Sequence, residues 1–346
     1  MPGLDTTRAV VVGGGVVGAA VAHALARRGL QTTLLESQPE LGLAASGTNS
    51  GILHSGFDSP PGALETQLIL RSVALRAQVL DALAVPVLRC GARMRDAPAE
   101  LPRNGVEAHR GSDGSLLVPG EWVTDPVALT LALAAAAEAH GARVRTSSPF
   151  ADLREYPADV YVNCAGLHAD AVARAFGDET FSIYPRKGEF FVFDVPLEQI
   201  LLPVPSPGTK GVLVFPTLDR RCVAGPTAVD GSDKEDWAVR SQARAEVLDR
   251  ATAMHPPLQG AEPVAQYAGL RPAGRGTNYV VGRSAADARL VNVAAIRSTG
   301  VSASLGIAEH VADLIAPGVS PAPLRAGEPA GFAGPWWRRT ATFRGL

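Results

Sequence analysis

The stretch RAVVVGGGVVGAAVAHALARRGLQTTLLE, Arg8 to Glu36, runs from strand to glycine turn to helix to strand without interruption. Ala9 to Gly13 are small or apolar and read as a short buried strand of a parallel sheet. Gly13, Gly15 and Gly18 then supply the spacing G-x-G-x-x-G. In that spacing Gly13 permits the tight turn, Gly15 lets the backbone approach a pyrophosphate, and Gly18 lets helix and strand pack closely. Val16 and Val17 open the helix, whose N-terminal N–H groups and positive dipole end suit a phosphate. Gly29 is a normal helix stop. The second strand, Thr32 to Leu35, leads to Glu36, eighteen residues after Gly18. A carboxylate there accepts hydrogen bonds from a ribose hydroxyl and repels a 2′-phosphate. The unit predicts an α/β, doubly wound, Rossmann-like domain holding the ADP half of a dinucleotide. Taken alone it leaves NAD and FAD both open.

The 346 residues are long enough to bury a large core and set a prior of about two domains. A formal charge of −2 gives no sign of a nucleic-acid or polyanion surface. Among the 32 basic residues only Lys187, Lys210 and Lys234 are lysines, a bias read as genome composition rather than chemistry. Cys90, Cys164 and Cys222 are odd in number and dispersed, which argues against a disulfide framework or a metal site and suits a reducing compartment. The first core strand starts almost at the N-terminus, so no signal peptide is expected. Ala9 to Ala26 is an uncharged run of eighteen residues, but the glycine turn in its middle favours a βαβ unit over a membrane span. A cytoplasmic protein is expected, with peripheral contact at a membrane left open.

Leu41 to Gly56 is a loop of small residues containing His54. Its hydroxyls and main-chain N–H groups can serve the phosphates of a flat ligand. Leu64 to Leu83 has apolar residues at helical spacing. Asp125-Pro126 is a good cap for a helix running to His140, and Gly141 stops it. Val160 to Asn163 reads as a buried strand, with Ala165-Gly166 making a close turn beside a ligand. From Phe181 the pattern is rich in short strands: Glu189 to Val195, Gly211 to Phe215 and Arg221 to Ala224. A helix is expected over Trp237 to Met254, a strand over Leu290 to Ala295 and a helix over Val301 to Ile315. Gly300 precedes this last helix and makes a second glycine-to-helix junction.

The loop ASGTNSGILHSGF, Ala45 to Phe57, resembles the second flavin-contacting loop of the D-amino-acid-oxidase-type FAD oxidoreductases. The similarity is nearest to the branch with L-2-hydroxyglutarate dehydrogenase and the FAD-linked glycerol-3-phosphate dehydrogenases. Further segments follow in the family's order: Val123 to Val144, VYVNCAGLHADAVA from Val160, YPRKGEFFVF from Tyr184, the segment from Gly211, YAGLRPAG from Tyr267, and IRSTGVSASLGIAEHVADLI from Ile296. The resemblance implies FAD, and a discontinuous FAD-binding domain of residues 1–83, 120–182 and 264–318. It implies an inserted mixed β-sheet substrate domain of 84–119 and 183–263. The Pro- and Arg-containing tail, 319–346, reads as a surface extension whose Trp336-Trp337 pair tucks against the body, with a hook for a partner as the alternative. The implied cofactor contacts are Gly13, Gly15, Val16, Val17, Gly18, Glu36 and Ser37. They continue through Ser46, Thr48, Asn49, Ser50 and Gly51 of the loop, Ala165 and Gly166, and Gly300, Val301 and Ser302. Family members carry more chain between the strand near Val87 and the helix at Asp125, and a β-meander between Val144 and Val160. Both are short here, so the chain resembles a trimmed member, with the cofactor more exposed or a partner surface uncovered. A homo-oligomer or a partner subunit stays open.

Candidate chemistry rests on few residues. Arg271 can hold a substrate carboxylate bidentately and fix its α-carbon against the flavin; the alternative is a buried arginine paired to an acid. His54 can take a hydroxyl proton as neutral imidazole while hydride leaves for flavin N5. Its alternatives are a structural histidine or a covalent flavin tether. Lys187 and Arg186 offer cations to an anionic substrate or form a solvated turn, and Tyr267 and Tyr279, flanking an Arg271 loop, offer pocket walls or pack in the core. Ser298 and Ser302 offer hydroxyls or cap the following helix. The expected activity is oxidation of a small anionic substrate, foremost a 2-hydroxy acid such as L-2-hydroxyglutarate. Glycerol 3-phosphate, an amino acid or an amine are the alternative substrates, with oxygen, a quinone or a carrier as electron acceptor. From another class, a flavin-binding subunit active only with a partner fits the same residues.

Overall fold

The computed structural model describes residues 7–152, 154–204 and 211–346; residues 1–6, 153 and 205–210 of the expected domain ranges lie outside it. A six-stranded sheet runs in the order Val280–Arg283, Leu290–Ala294, Val160–Asn163, Arg8–Val12, Gln31–Leu35, Arg143–Arg145. All neighbours are parallel except the first pair. Arg8–Val12 lies in the interior, and its apolar run is buried on both faces, as a central parallel strand requires. Ala9 and Val11 face a layer of helices, while Val10 and Val12 face Leu35, Tyr161, Val172 and Phe176. The helix layer places Val16–Ala26 between Pro126–Ala139 and Gly300–Ile315, with Leu64–Ala82 beyond the last. Small residues allow that closeness. A Cβ on Gly306 would fall 2.0 Å from the Leu68 carbonyl oxygen, so only glycine permits this crossing. Asp125 caps its helix by accepting from the Val127 and Ala128 N–H groups at 2.8 and 2.9 Å.

Among the described residues the second sheet has nine strands. Its frame is the pair Ile183–Pro196 and Pro263–Gly274, antiparallel from Ile183↔Gly274 to Phe193↔Pro263. This register sets Arg186 directly opposite Arg271. Arg271 therefore sits on a strand and not in the loop expected from sequence. Pro263–Gly274, grouped by sequence with the cofactor domain, takes its pairing from the second sheet. A three-stranded sheet joins Ile52–Leu53, Trp122–Thr124 and Val87–Leu88, with Leu53↔Trp122 in register. The expected helix from Trp237 starts only at Ala243. Tertiary contacts override its local propensity: Trp237 is buried with Leu167 and Leu270, and the Arg240 N–H donates to the buried Glu189 carboxylate at 2.6 Å. Trp336 and Trp337 are buried at the start of a Trp336–Arg344 helix. Arg339 of that helix donates to the Leu41 carbonyl at 2.8 Å and pairs with Glu40 at 2.6 Å, tying the tail to the small-residue loop.

His23 sits inside the helix layer beside His140, ring centroids 5.8 Å apart, and neither Nε2 has a partner among the described residues. Burial first, then the Arg27 guanidinium and His140, lower His23 from 6.5 to about 3. The unfolded chain takes up its proton near 6.5 while the folded chain resists until about 3, so stability is level above 6.5 and falls within that window. At pH 5.5 the cost from this one group is about 1.4 kcal/mol. His140, His255 and His310 are lowered too, so they act in the same direction. We expect His23→Leu to lose about 1.4 kcal/mol less than the native chain between pH 7.5 and 5.5 in urea unfolding. Parallel curves for the two proteins would show that His23 is not the group responsible.

Candidate active site

The first strand ends in Gly13 at φ +109°, where a Cβ would lie 2.4 Å from the Cys164 carbonyl oxygen. A Cβ on Gly18 would lie 1.9 Å from the Gly13 carbonyl oxygen, so Gly18 serves the packing of turn on helix and borders neither cavity described below. At Gly15 a Cβ would meet only the Ser46 Oγ, at 3.0 Å, and that hydroxyl accepts from the Val16 N–H at 2.9 Å. Glu36 closes the turn as well: its carboxylate accepts from the Gly14 N–H at 2.7 Å, the Gln38 N–H at 2.8 Å and the Ser37 hydroxyl at 3.1 Å.

These residues border a cavity of about 320 Å³. Gly13, Gly15, Val16, Val17, Glu36 and Ser37 line it, with Ser46 and Asn49 of the loop, Ala165 and Gly166, and Gly300 and Val301. Two helix N-termini, at Val16 and Gly300, thus open on one space, and both favour a negatively charged group. The glycine turn, the carboxylate at the end of the second strand and the paired helix N-termini suit an FAD pyrophosphate, ribose and ring. Other expected contacts lie elsewhere. Thr48 and Ser50 border a second cavity. Gly51 stands at φ +74°, where a Cβ would lie 2.2 Å from the Thr124 carbonyl oxygen, and its part is backbone packing. Ser302 is buried; its hydroxyl accepts from the His54 N–H at 2.9 Å and donates to the Ile52 carbonyl at 3.0 Å, away from either cavity.

The second cavity, of about 130 Å³, shares Ala45, Asn49, Arg271, Arg297 and Ser298 with the first. His54 borders it, with Arg186, Arg271 and Arg297 as cations and Glu65 as the anion. Arg271 donates to the main-chain carbonyls of Arg186, Lys187 and Thr227 at 3.2, 3.0 and 2.7 Å. It has no carboxylate partner among the described residues, so the acid-paired alternative does not hold. Burial, then Arg186 and Arg297, push its guanidinium down to about 10. The nearby Asp230 carboxylate offsets part of this. Arg186 is held by Asp230 at 2.5 and 2.8 Å. Arg297, which the sequence reading passed over for its neighbour Ser298, makes no hydrogen bond or ion pair among the described residues and stands where the two cavities meet.

His54 follows the Ile52–Leu53 strand, and Glu121 precedes the paired Trp122–Thr124 strand. The Leu53↔Trp122 register therefore brings the two side chains together, His54 Nδ1 to Glu121 Oε2 at 2.8 Å. Glu121 carried no sequence signal. Two expected substrate contacts are corrected. Lys187 is the strand neighbour of Arg186 and points to the opposite face, where its ammonium meets Asp236 at 2.6 Å and the Ala238 carbonyl at 2.9 Å. Tyr267 packs between Phe190 and Trp336, centroids 4.9 and 5.7 Å away, and borders neither cavity. Tyr279 is also buried, its hydroxyl 2.6 Å from Thr299 Oγ1. Among the described residues no helix is long and apolar enough to cross a membrane.

Comparison with known proteins supports the same cofactor. A glycerol 3-phosphate dehydrogenase of Caloramator mitchellensis is 25% identical, over 88% of this chain and 73% of that protein. A mitochondrial L-2-hydroxyglutarate dehydrogenase of Caenorhabditis elegans is 27% identical, over 69% of this chain and 67% of that protein. The fold matches that of a dithionite-reduced L-α-glycerophosphate oxidase from Mycoplasma pneumoniae with FAD bound, at TM-score 0.79, 23% identity, and 91% and 96% of the two chains. The sequence profile of the DAO family, described as FAD dependent oxidoreductase, matches residues 8–94 and 91–314. That span takes in the glycine turn, the second cavity, all of the first cavity's lining but Arg344, and the Gly300 junction, and by it the chain belongs to the DAO family of FAD-dependent oxidoreductases.

Proposed function

We propose that this chain oxidises a small dianionic alcohol, a 2-hydroxy acid such as L-2-hydroxyglutarate or a glycerol phosphate. The observation that carries the reading is the second cavity, which sets one histidine among three guanidinium groups and adjoins the cofactor cavity. The turn at Gly13–Val17 and the Val16 helix N-terminus would hold the FAD pyrophosphate, Glu36 the ribose, and the Gly300–Val301 junction the far part of the cofactor. FAD supplies the acceptor for two electrons. The protein's own work is then binding and proton transfer. Arg297 and Arg271 hold the anionic group as charge-assisted, planar donors and orient the carbon that bears the hydroxyl. His54, through Nε2, takes the hydroxyl proton, because its Nδ1 is engaged with Glu121.

Carboxylate and phosphate both suit guanidinium donors. The relative named for glycerol 3-phosphate matches 88% of the chain against 69% for the one named for L-2-hydroxyglutarate, which supports testing glycerol phosphate first. Anaerobic mixing of the holoenzyme with sn-glycerol 3-phosphate, L-2-hydroxyglutarate, glycine and glycerol should bleach the flavin with one of the two dianions. Bleaching by glycine or glycerol alone would overturn the anionic-alcohol reading. A flavin that none of the four reduces would turn attention to a subunit that needs a partner.

A further inference from the structure

We propose that Glu121 is a positioning residue that fixes the tautomer of His54 and so leaves Nε2 as the proton acceptor. The inference rests on the reading of His54 as the base. Glu121 is fully buried, and both of its oxygens are committed. Oε1 accepts from the Ser55 N–H at 2.6 Å and the Ser55 hydroxyl at 2.8 Å, and Oε2 lies 2.8 Å from His54 Nδ1. An ionised carboxylate only accepts hydrogen bonds, so Nδ1 must carry the proton, and the neutral ring then has its lone pair on Nε2.

The surroundings hold both the carboxylate and the ring in place. Arg76, buried behind the pair, donates to the Leu53 carbonyl at 2.9 Å, the His54 carbonyl at 3.3 Å and the Gly120 carbonyl. Its guanidinium thus clasps both chain segments and faces Glu121, and it lies over the Trp122 ring at 4.3 Å. On the cavity side, Glu65, Arg186, Arg271 and Arg297 are the charged groups around His54. Ser302 anchors the His54 N–H from the Gly300–Ile315 helix. The imidazole is held through its main chain on two sides and through Nδ1 on the third, which leaves Nε2 without a hydrogen bond among the described residues.

Glu121→Gln tests this with almost no change in shape. The amide oxygen stays with the two Ser55 donors, so the amide NH₂ faces Nδ1 and donates to it, which drives the proton to Nε2. Nitrogen-15 spectra of histidine-labelled holoenzyme should show His54 as the Nδ1–H tautomer in the native protein and as Nε2–H in the variant. With sn-glycerol 3-phosphate or L-2-hydroxyglutarate, kcat should fall about tenfold to a hundredfold with KM and flavin content unchanged. An unaltered tautomer or an unaltered kcat in Glu121→Gln overturns the proposal. If the variant does not fold, the native spectrum still decides, since an Nε2–H tautomer there contradicts it. The tautomer is read without turnover. A base reading that fails with His54→Gln is therefore distinguishable from a failure of the positioning role.

Discussion

His54→Gln should lower kcat about 10²–10⁴-fold, the range a positioned general base contributes, while KM and flavin content stay close to native. Glutamine can still donate to Glu121 and fills much of the imidazole volume, so the loop between Ile52 and the buried carboxylate keeps its anchor. What it lacks is a basic nitrogen facing the 130 Å³ cavity. Arg271, Arg297 and Arg186 are untouched, so the anion still binds and the loss falls on the proton transfer. Rapid anaerobic reduction with saturating substrate measures this step apart from reoxidation. A reduction rate equal to the native one would remove His54 from the chemistry. The tether alternative gives a different pattern: native protein precipitated in acid stays yellow, and the variant's pellet is colourless.

What the sequence made legible was local. Gly18 is needed for a contact with Gly13 in the same turn, and Asp125-Pro126 caps a helix two residues away. Such signals survive without knowledge of the fold. The site residues that were missed depend on register. Lys187 and Arg186 are adjacent in a strand, and which one faces the second cavity depends on a parity that only the pairing with Pro263–Gly274 decides. Glu121 lies 67 residues from His54, in a short polar connection with no motif, and becomes its partner only through the Leu53↔Trp122 pairing. Trp237 carries helical propensity but is drawn out of the helix by burial against Leu167 and Leu270. Arg297 was within reach of the sequence. It stands three residues before Gly300, in a segment already assigned to the cofactor.

Arg297→Met should lower kcat/KM by about 10²–10³-fold, mostly through KM, because it removes charge-assisted donors to the substrate anion. Its value as a test comes from what it leaves alone. Arg297 makes no hydrogen bond or ion pair among the described residues, so its loss orphans no acceptor there and the melting temperature should hold. Arg271→Met should produce a similar kinetic loss, but it strips the donor from three main-chain carbonyls, those of Arg186, Lys187 and Thr227. A buried acceptor left without a partner costs about 1–3 kcal/mol, so this variant should melt earlier. Relief of the cross-strand repulsion with Arg186 offsets part of that, at roughly 0.2–1 kcal/mol for such a pair, and does not reverse the sign. The two variants therefore separate binding from structure. Loss of affinity in both, with loss of stability only in Arg271→Met, places the anion between the two guanidinium groups. Native KM in Arg297→Met, with weakened binding only in the unstable Arg271→Met, would mean that the cationic lining serves the sheet and that the substrate is held elsewhere.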